Sequence, residues 1–136
     1  MEPDALLEAA RSTMALAYAP YSGFRVGAAL EAEDGSVHTA CNVENASYGL
    51  TVCAERAAVF RAVAEGKRAF RRIAIVTEGR RAVAPCGACR QVLSEFGTGL
   101  EVVSEAGGER RAWSLAELLP APFHLPPPAS EESRAK

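Results

Sequence analysis

The apolar positions at the start of the chain recur at helical spacing. Over residues 4–18 they predict an amphipathic helix, with Asp4 as its N-cap and Pro20 as the residue that ends it. The period then changes, and residues 24–31 favour a β-strand. An Asp-Gly pair at 34–35 is typical of a hairpin turn and precedes a second strand. We therefore expect the chain to open with a helix and a β-hairpin.

Strand-like and helical segments alternate after a loop rich in turn formers at residues 42–51. The predicted elements are a helix from near Cys53 to Gly66, a continuously apolar parallel strand at 72–77, a helix at 87–96, strands at 100–104 and 110–113, and a short helix from Ser114 to Leu119. This order predicts an α/β fold, with a mixed sheet of about five strands and helices on both faces.

The length and composition favour one domain. The chain has 136 residues, of which 49% are hydrophobic and 24% charged, as in an ordinary globular protein. We assign a single catalytic domain to residues 1–125. Residues 126–136 form a Pro-rich tail that we expect to be disordered.

The charge pattern restricts the partners. The net charge is −2 and no basic stripe occurs, so we expect no nucleic-acid partner. The chain contains no run of about 18 apolar residues, so we expect no membrane helix. The acidic start at residues 1–4 is unlike a signal peptide. Four cysteines without an export signal favour metal ligation or free thiols, and we expect a cytoplasmic protein.

Three cysteines and one glutamate carry the chemistry. Cys53 is followed two residues later by Glu55, and Cys86 and Cys89 form a CxxC pair. Three thiolates can hold zinc and leave a fourth position open for water, while a carboxylate beside that water can move its protons. The pattern is typical of zinc deaminases, which replace a nucleobase amino group with oxygen.

The excess negative charge of such a site has to be balanced by positively charged groups. Three thiolates and a hydroxide carry four negative charges against the two of zinc, and helix N-termini at the cysteines would offset part of the difference. Arg56 and Arg90 are candidates for the rest. We expect Arg56 to donate a hydrogen bond to a ligand sulfur.

Three other interpretations of the cysteines stay open at this point. A structural zinc site needs a fourth protein ligand, for which Cys41, His38 and His124 are the candidates. A redox protein could use the CxxC pair alone, although Cys53 and Glu55 would then be unexplained. A catalytically silent zinc-binding oligomer would leave Glu55 without a role.

Four motifs resemble the small, homotetrameric type of cytidine deaminase. The resemblance spans residues 5–123 and is carried by Tyr18-Ala19-Pro20-Tyr21-Ser22 with Phe24 and Val26-Gly27-Ala28-Ala29, by Asn42-Val43-Glu44-Asn45-Ala46-Ser47-Tyr48, by Cys53-Ala54-Glu55-Arg56, and by Pro85-Cys86-Gly87-Ala88-Cys89-Arg90-Gln91. The resemblance implies a three-layer α/β/α sandwich around a five-stranded mixed sheet. It also implies pyrimidine salvage by hydrolytic deamination of cytidine and 2′-deoxycytidine to the uridines, with release of ammonia.

The resemblance also implies roles for particular residues. One Zn²⁺ per subunit would be held by the three cysteines, and zinc-bound hydroxide would attack ring carbon 4 with Glu55 as proton shuttle. The implied substrate contacts are stacking by Phe24, hydrogen bonds from Asn42 and Glu44 to the ribose hydroxyls, and recognition of the base edge by the backbone of Ala54. From the residues alone, Phe24 could equally belong to the core, and Asn42 and Glu44 could cap a loop.

Active sites shared between subunits are a further implication. In a homotetramer, Ala46 and Tyr48 would approach the site from one neighbour and Phe123 from another. On sequence grounds Phe123 could instead cover its own core. Related activities fit less well: an antibiotic aminonucleoside deaminase has no need of a ribose pair, a nucleotide deaminase needs a phosphate site, and a nucleic-acid editing enzyme needs a basic groove.

Overall fold

The structure is a computed structural model that describes residues 1–126. Its elements are α1 (Pro3–Met14), β1 (Val26–Ala32), β2 (Val37–Cys41), a 3₁₀ turn (Tyr48–Leu50), α2 (Ala54–Ala64), β3 (Phe70–Thr77), α3 (Gly87–Ser94), β4 (Glu101–Ala106), β5 (Glu109–Ser114) and α4 (Leu115–Leu118). Apart from Pro126, the predicted tail lies outside the described residues. The domain boundary at residue 125 stays a prediction.

The five strands form one mixed sheet in the order β2-β1-β3-β4-β5. β3 and β4 pair in parallel, while the β1–β2, β1–β3 and β4–β5 pairs are antiparallel. β3 lies at the centre, which explains its nearly continuous apolar sequence, because a central strand covered on both faces exposes neither set of side chains. The predicted five-stranded mixed sheet is confirmed.

Helices cover both faces of the sheet and create two cores. Ile73 and Ile75 pack on the side of α2, α3 and α4, whereas Ala74 and Val76 pack on the side of α1. This alternation follows from the pleat of a strand, in which successive side chains point to opposite faces. Burying an isoleucine side chain contributes about 1.5–3 kcal/mol, so β3 stabilises both layers at once. The α/β/α sandwich is confirmed.

The first helix ends earlier than its apolar pattern predicts. α1 stops at Met14, and Asp4 lies in its first turn while Glu2 occupies the N-cap position. The chain leaves the helix because Tyr18 pairs with the segment after β2: its N–H donates to Asn42 O at 3.1 Å, and its own carbonyl accepts from the N–H of Glu44 at 2.8 Å. The predictions of a helix to residue 18 and of an Asp4 cap are wrong.

The start of β1 is set by a side chain. Asn42 Oδ1 accepts a hydrogen bond from Val26 N, and Asn42 Nδ2 donates to Phe24 O, both at 2.9 Å. The amide therefore replaces the strand ladder at this point, and the strand begins at Val26 rather than at Phe24 as the pattern predicts. Phe24 is left at the edge of the sheet, where its ring can face a cavity.

The later elements follow the predictions closely. α3 ends at Ser94, two residues before the predicted end, and the β4 strand continues to Ala106. Ser114 caps α4 through a capping box with Glu117, in which each side chain bonds the other residue's backbone N–H. Within residues 1–126, no helix has the length and apolar character needed to cross a bilayer.

Candidate active site

The N-termini of two helices bring the three predicted metal-binding cysteines together. Cys53 is the N-cap of α2 and Cys86 the N-cap of α3, while Cys89 lies in the first turn of α3. The two helices follow β1–β2 and β3, and they pack side by side on the same face of the sheet. The positive end of each helix dipole therefore points at the sulfurs, which favours their thiolate forms.

The spacing of the sulfurs suits a tetrahedral metal. All three Sγ atoms lie within 4.8 Å of one another, and Cys53 Sγ is 3.9 Å from Cys86 Sγ. Zinc with bonds of about 2.3 Å to sulfur places two thiolates about 3.8 Å apart in a tetrahedral site. Three soft thiolates at this separation are a donor set that zinc prefers. The group can hold zinc with one position left open.

The structural-site alternative needs a fourth ligand, and the described chain offers none. In residues 1–126 the three cysteines are joined by no histidine, carboxylate or fourth cysteine. His38 is buried elsewhere, with Nδ1 2.6 Å from Glu65 Oε1 and Nε2 2.9 Å from Ser36 Oγ. Cys41 ends β2 as a free thiol outside the group.

Arg56 is the arginine beside the sulfurs. Its Nη2 lies 3.6 Å from Cys53 Sγ and 3.3 Å from Thr51 O. A hydrogen bond from the Cys89 thiol and a smaller contribution from Arg56 lower the pKa of Cys53 to about 5. Sharing that proton with Cys53, together with burial, raises the pKa of Cys89. Cys53 is thus the first of the two to ionise.

Arg90 has a different task. Its Nε donates to Pro85 O at 2.7 Å, and its Nη1 donates to Leu118 O at 2.8 Å. The guanidinium therefore joins the residue before Cys86 to the end of α4. It supports the cysteine pair through the backbone, and the direct contact with a sulfur belongs to Arg56.

Glu55 faces the cysteines from the first turn of α2. Its side chain is only 6% exposed. Burial raises the pKa of Glu55 to about 7, and the nearby charge of Cys53 adds to the rise. A carboxyl group with this pKa can both accept and release a proton near neutral pH, as a general acid–base catalyst must.

A cavity of about 320 Å³ opens in front of these groups. Its volume lies in the range of small-molecule sites, and its walls are mainly apolar. It is lined by Ser22, Phe24, Val26, Asn42, Glu44, Thr51, Cys53, Ala54, Glu55, Ile75, Val83, Ala84 and Cys86. The predicted residues Phe24, Asn42, Glu44 and Ala54 thus share one cavity with Cys53, Cys86 and Glu55, while the third cysteine, Cys89, is buried beneath it.

Asn42 and Glu44 both serve the local structure as well as the cavity. Besides the two bonds of Asn42 at β1, Glu44 Oε1 accepts from the N–H groups of Tyr21 and Ser22 at 2.9 and 3.0 Å, and its Oε2 accepts from the Ser22 hydroxyl. The hydrogen bonds from Ser22 lower the pKa of Glu44. The cavity wall therefore carries a fixed, ionised carboxylate beside a fixed amide.

The three residues predicted to act in neighbouring subunits lie outside this cavity. Tyr48 is 74% exposed, with its ring edge-on to Tyr21 at 5.8 Å. Ala46 is exposed in the same loop. Phe123 is 66% exposed, and its backbone is held by a hydrogen bond from Gln91 Nε2 at 2.9 Å. Phe123 does not cover a core of its own chain, which overturns that alternative.

Several lining residues were missed by the sequence reasoning. Val83 and Ala84 lie in the loop between β3 and α3, and Thr51 lies just before Cys53. Their closeness to a motif is the only signal that could have found them: Thr51 is two residues from Cys53, and Ala84 is two residues from Cys86. Val26 belongs to a quoted motif, whereas Ile75 carried no such signal, because its inclusion depends on the pairing of β1 with β3.

Known proteins share both the sequence and this fold. The family model for the cytidine and deoxycytidylate deaminase zinc-binding region matches residues 1–105. A cytidine deaminase of Sporosarcina psychrophila is 44% identical over 125 residues, which cover 90% of this chain and 92% of that protein. The crystal structure of a cytidine deaminase from Burkholderia pseudomallei is 54% identical with a TM-score of 0.87, covering 90% of this chain and all of that one.

A more distant relative acts on another class of substrate. The blasticidin-S deaminase of Bacillus cereus is 31% identical over 106 residues, which cover 72% of this chain and 76% of that protein. The region of this chain that the family model matches contains the three clustered cysteines and the buried Glu55. The chain belongs to the cytidine and deoxycytidylate deaminase family of zinc-binding proteins.

Proposed function

We propose that the protein catalyses the zinc-dependent hydrolytic deamination of cytidine and 2′-deoxycytidine to uridine and 2′-deoxyuridine, with release of ammonia. One observation carries the proposal: the three cysteine sulfurs form one cluster, and two of those cysteines, Cys53 and Cys86, line a single cavity together with the buried Glu55. The similarity to cytidine deaminases over nine-tenths of the chain supports the choice of substrate. The physiological role is pyrimidine salvage in the cytoplasm.

Glu55 carries the proton transfers. When bound to the three thiolates, zinc supplies a Lewis acid that lowers the pKa of a water molecule in its open position. Glu55 accepts a proton on the side of the cavity where the cysteines lie, and it delivers a proton to the ring nitrogen next to carbon 4. It then helps to protonate the departing amine. A pKa of about 7 keeps both protonation states of Glu55 accessible throughout.

The cavity orients the pyrimidine and the sugar through groups that still have hydrogen-bonding capacity. Ala54 is the first residue of α2, so its N–H has no acceptor within the helix and can bond the base edge. Phe24, 38% exposed at the cavity mouth, offers a ring face for stacking. Glu44 accepts three hydrogen bonds of about four that a carboxylate can take, which leaves room for a ribose hydroxyl beside Asn42.

The charges of the cavity favour a nucleoside over a nucleotide. The residues that line it include the acids Glu44 and Glu55, and in the described chain none of them is an arginine or lysine. A phosphate group in this cavity would meet two carboxylates and no arginine or lysine among the lining residues. This is the reason to propose the free nucleoside as substrate.

A homotetramer with shared sites explains the exposed aromatic residues. Phe60 is half exposed on α2 and borders an apolar groove of about 580 Å³ between α2 and α3, where Val63, Val92 and Phe96 also lie. Exposed apolar surfaces of this kind are typical of protein interfaces. In such a tetramer, Phe123 of one subunit would lie at the active site of one neighbour. Ala46 and Tyr48 of the same subunit would lie at the active site of another neighbour.

The test is the ultraviolet absorbance of purified protein with cytidine, and in parallel with cytidine monophosphate, adenosine and blasticidin S. Among these four compounds, we expect only cytidine to give a fall in absorbance. The fall should stop after chelation of zinc and should begin again when zinc is added. Deamination of blasticidin S, with no deamination of cytidine, would indicate that the protein is an antibiotic deaminase instead. Turnover of cytidine monophosphate in preference to cytidine would contradict the nucleoside assignment.

A further inference from the structure

The loop between β3 and α3, residues 78–85, forms one side of the catalytic cavity. It supplies Val83 and Ala84 to the lining and leads directly into Cys86. Phe24, which precedes β1, also lines this cavity. The position of the loop therefore affects how the Phe24 ring is presented to a planar ring in the cavity.

One ion pair joins the loop to the segment that carries Phe24. Glu78, the first residue of the loop, accepts from the backbone N–H of Arg25 at 2.9 Å with Oε1 and from Arg25 Nη2 at 2.7 Å with Oε2. The carboxylate thus holds the backbone and the guanidinium of the same residue. Fifty-three positions separate the two residues in sequence. These bonds lower the pKa of Glu78 and raise that of Arg25.

The Arg25–Glu78 pair is adjacent to the ring of Phe24. Arg25 follows Phe24 in sequence, and Gly79 follows Glu78. A Cβ on Gly79 would stand 3.5 Å from Phe24 Cε1 and 3.9 Å from Phe24 Cζ, so the ring already rests against the loop backbone. Tightening or loosening the Arg25–Glu78 pair therefore moves the loop relative to the ring.

The far end of the same loop is held independently. Ala82 N donates to Glu109 Oε1 at 2.8 Å, and Arg90 holds Pro85 O. A Cβ on Gly107 would come within 2.7 Å of Arg80 O, so the loop backbone also packs tightly against the β4–β5 turn. These contacts fix Cys86 whether or not Glu78 is bonded. Losing the Arg25–Glu78 pair should therefore free only the start of the loop, beside Phe24, and leave Val83 and Ala84 in place.

Stability is a poor explanation for the pair. The side chains of Arg25 and Glu78 are 44% and 31% exposed, and ion pairs with this exposure contribute little to folding. We infer that Arg25 and Glu78 are positioning residues that hold the Phe24 ring against the start of the 78–85 loop and so determine how tightly the cavity binds a pyrimidine ring. The identity of that ring rests on the proposed function.

The experiment compares Arg25→Gln, Glu78→Gln and the exchanged pair Arg25→Glu with Glu78→Arg. We expect KM for cytidine to rise about three- to tenfold in each single variant while kcat changes less than twofold, because the lost contact acts on ground state and transition state alike. The exchanged pair should recover part of the KM, since opposite charges again face each other, but an arginine at position 78 cannot accept from the backbone N–H of residue 25. Zinc content and melting temperature should match wild type.

Arg110→Gln is the matched control. Arg110 is 46% exposed and pairs with Asp4 at 2.7 Å and with Glu105 at 3.0 Å, so its substitution removes exposed ion pairs that lie outside the cavity lining. We expect its KM to equal that of wild type. Hydrogen exchange of the peptide covering residues 78–85 gives a second readout that needs no turnover, and it should be faster in Arg25→Gln than in Arg110→Gln.

The outcomes separate the two proposals. Wild-type protein without cytidine turnover would defeat the proposed function, and hydrogen exchange would then decide whether the pair holds the loop. Unchanged KM together with unchanged exchange in both single variants would overturn the positioning role. A joint fall of kcat, zinc content and melting temperature would also overturn it, since the pair would then support the fold generally.

Discussion

The guanidinium of Arg56 lies against the sulfur of Cys53, with Nη2 3.6 Å from Sγ and 3.3 Å from the carbonyl oxygen of Thr51. Contact with Cys53, followed by that with Cys89, raises the pKa of Arg56. The cation therefore partly neutralises a site whose thiolates exceed the charge of zinc. Arg90, the other candidate, gives its hydrogen bonds to two carbonyl groups instead.

Substituting Arg56 with glutamine should weaken zinc binding. Groups that contact a metal ligand commonly affect metal affinity by about 10–100-fold, and we expect a loss on this scale. The measurement is competition for zinc with a chromogenic chelator. Arg90→Gln serves as the comparison: it should lower the melting temperature because two backbone carbonyls lose their donor, with a smaller change in zinc affinity. Equal losses of zinc affinity in the two variants would contradict the distinction.

Glu55→Gln should nearly abolish turnover. The amide keeps the shape of the side chain but cannot carry protons, and general acid–base catalysis contributes about 10²–10⁴-fold. Zinc content, measured by atomic emission, should stay at the wild-type level because Glu55 is not one of the three clustered ligands. Glu33→Gln, at an exposed carboxylate, is the neutral control. Turnover within tenfold of wild type in Glu55→Gln would remove its role as shuttle.

Phe123→Ala should impair substrate use without loss of zinc. If each site borrows this residue from a neighbour, subunits carrying Phe123→Ala and subunits carrying Glu55→Gln should complement each other. A mixed oligomer contains sites with an intact Glu55 and an intact borrowed Phe123. Coexpression of the two variants, followed by purification through two different tags, should therefore give more activity than the sum of the pure variants. Activity equal to that sum would mean that the sites are not shared.

Gly27→Ala should destabilise the fold. A Cβ at this position would lie 2.0 Å from Ala10 O and 2.7 Å from Met14 N, both in the backbone of α1. Because that helix cannot yield as a flexible side chain can, we expect a loss of about 3 kcal/mol or more in the free energy of unfolding. Gly49→Ala, with open space around its Cβ, should be nearly neutral. Thermal unfolding of both variants gives the comparison.

Much of the fold follows from local pattern. The hairpin, the central strand β3 and the helices at the cysteines were predicted within a few residues because their apolar periods and turn residues agree with their final environment. The misplaced ends have tertiary causes. Tyr18 leaves the predicted helix to pair with residues 42–44, and the Asn42 amide moves the start of β1.

The amino-acid sequence by itself determined which residues are candidates for the chemistry of the site, because a thiolate cluster and a nearby glutamate are recognised by residue type and close spacing. It could not decide which arginine faces the thiolates: Arg56 and Arg90 stand in similar places in their motifs, and only the packing of α2 and α3 separates them. The Arg25–Glu78 pair, the cavity walls and the buried state of Glu55 were likewise decided by tertiary structure. They depend on contacts between distant segments, which no local pattern records.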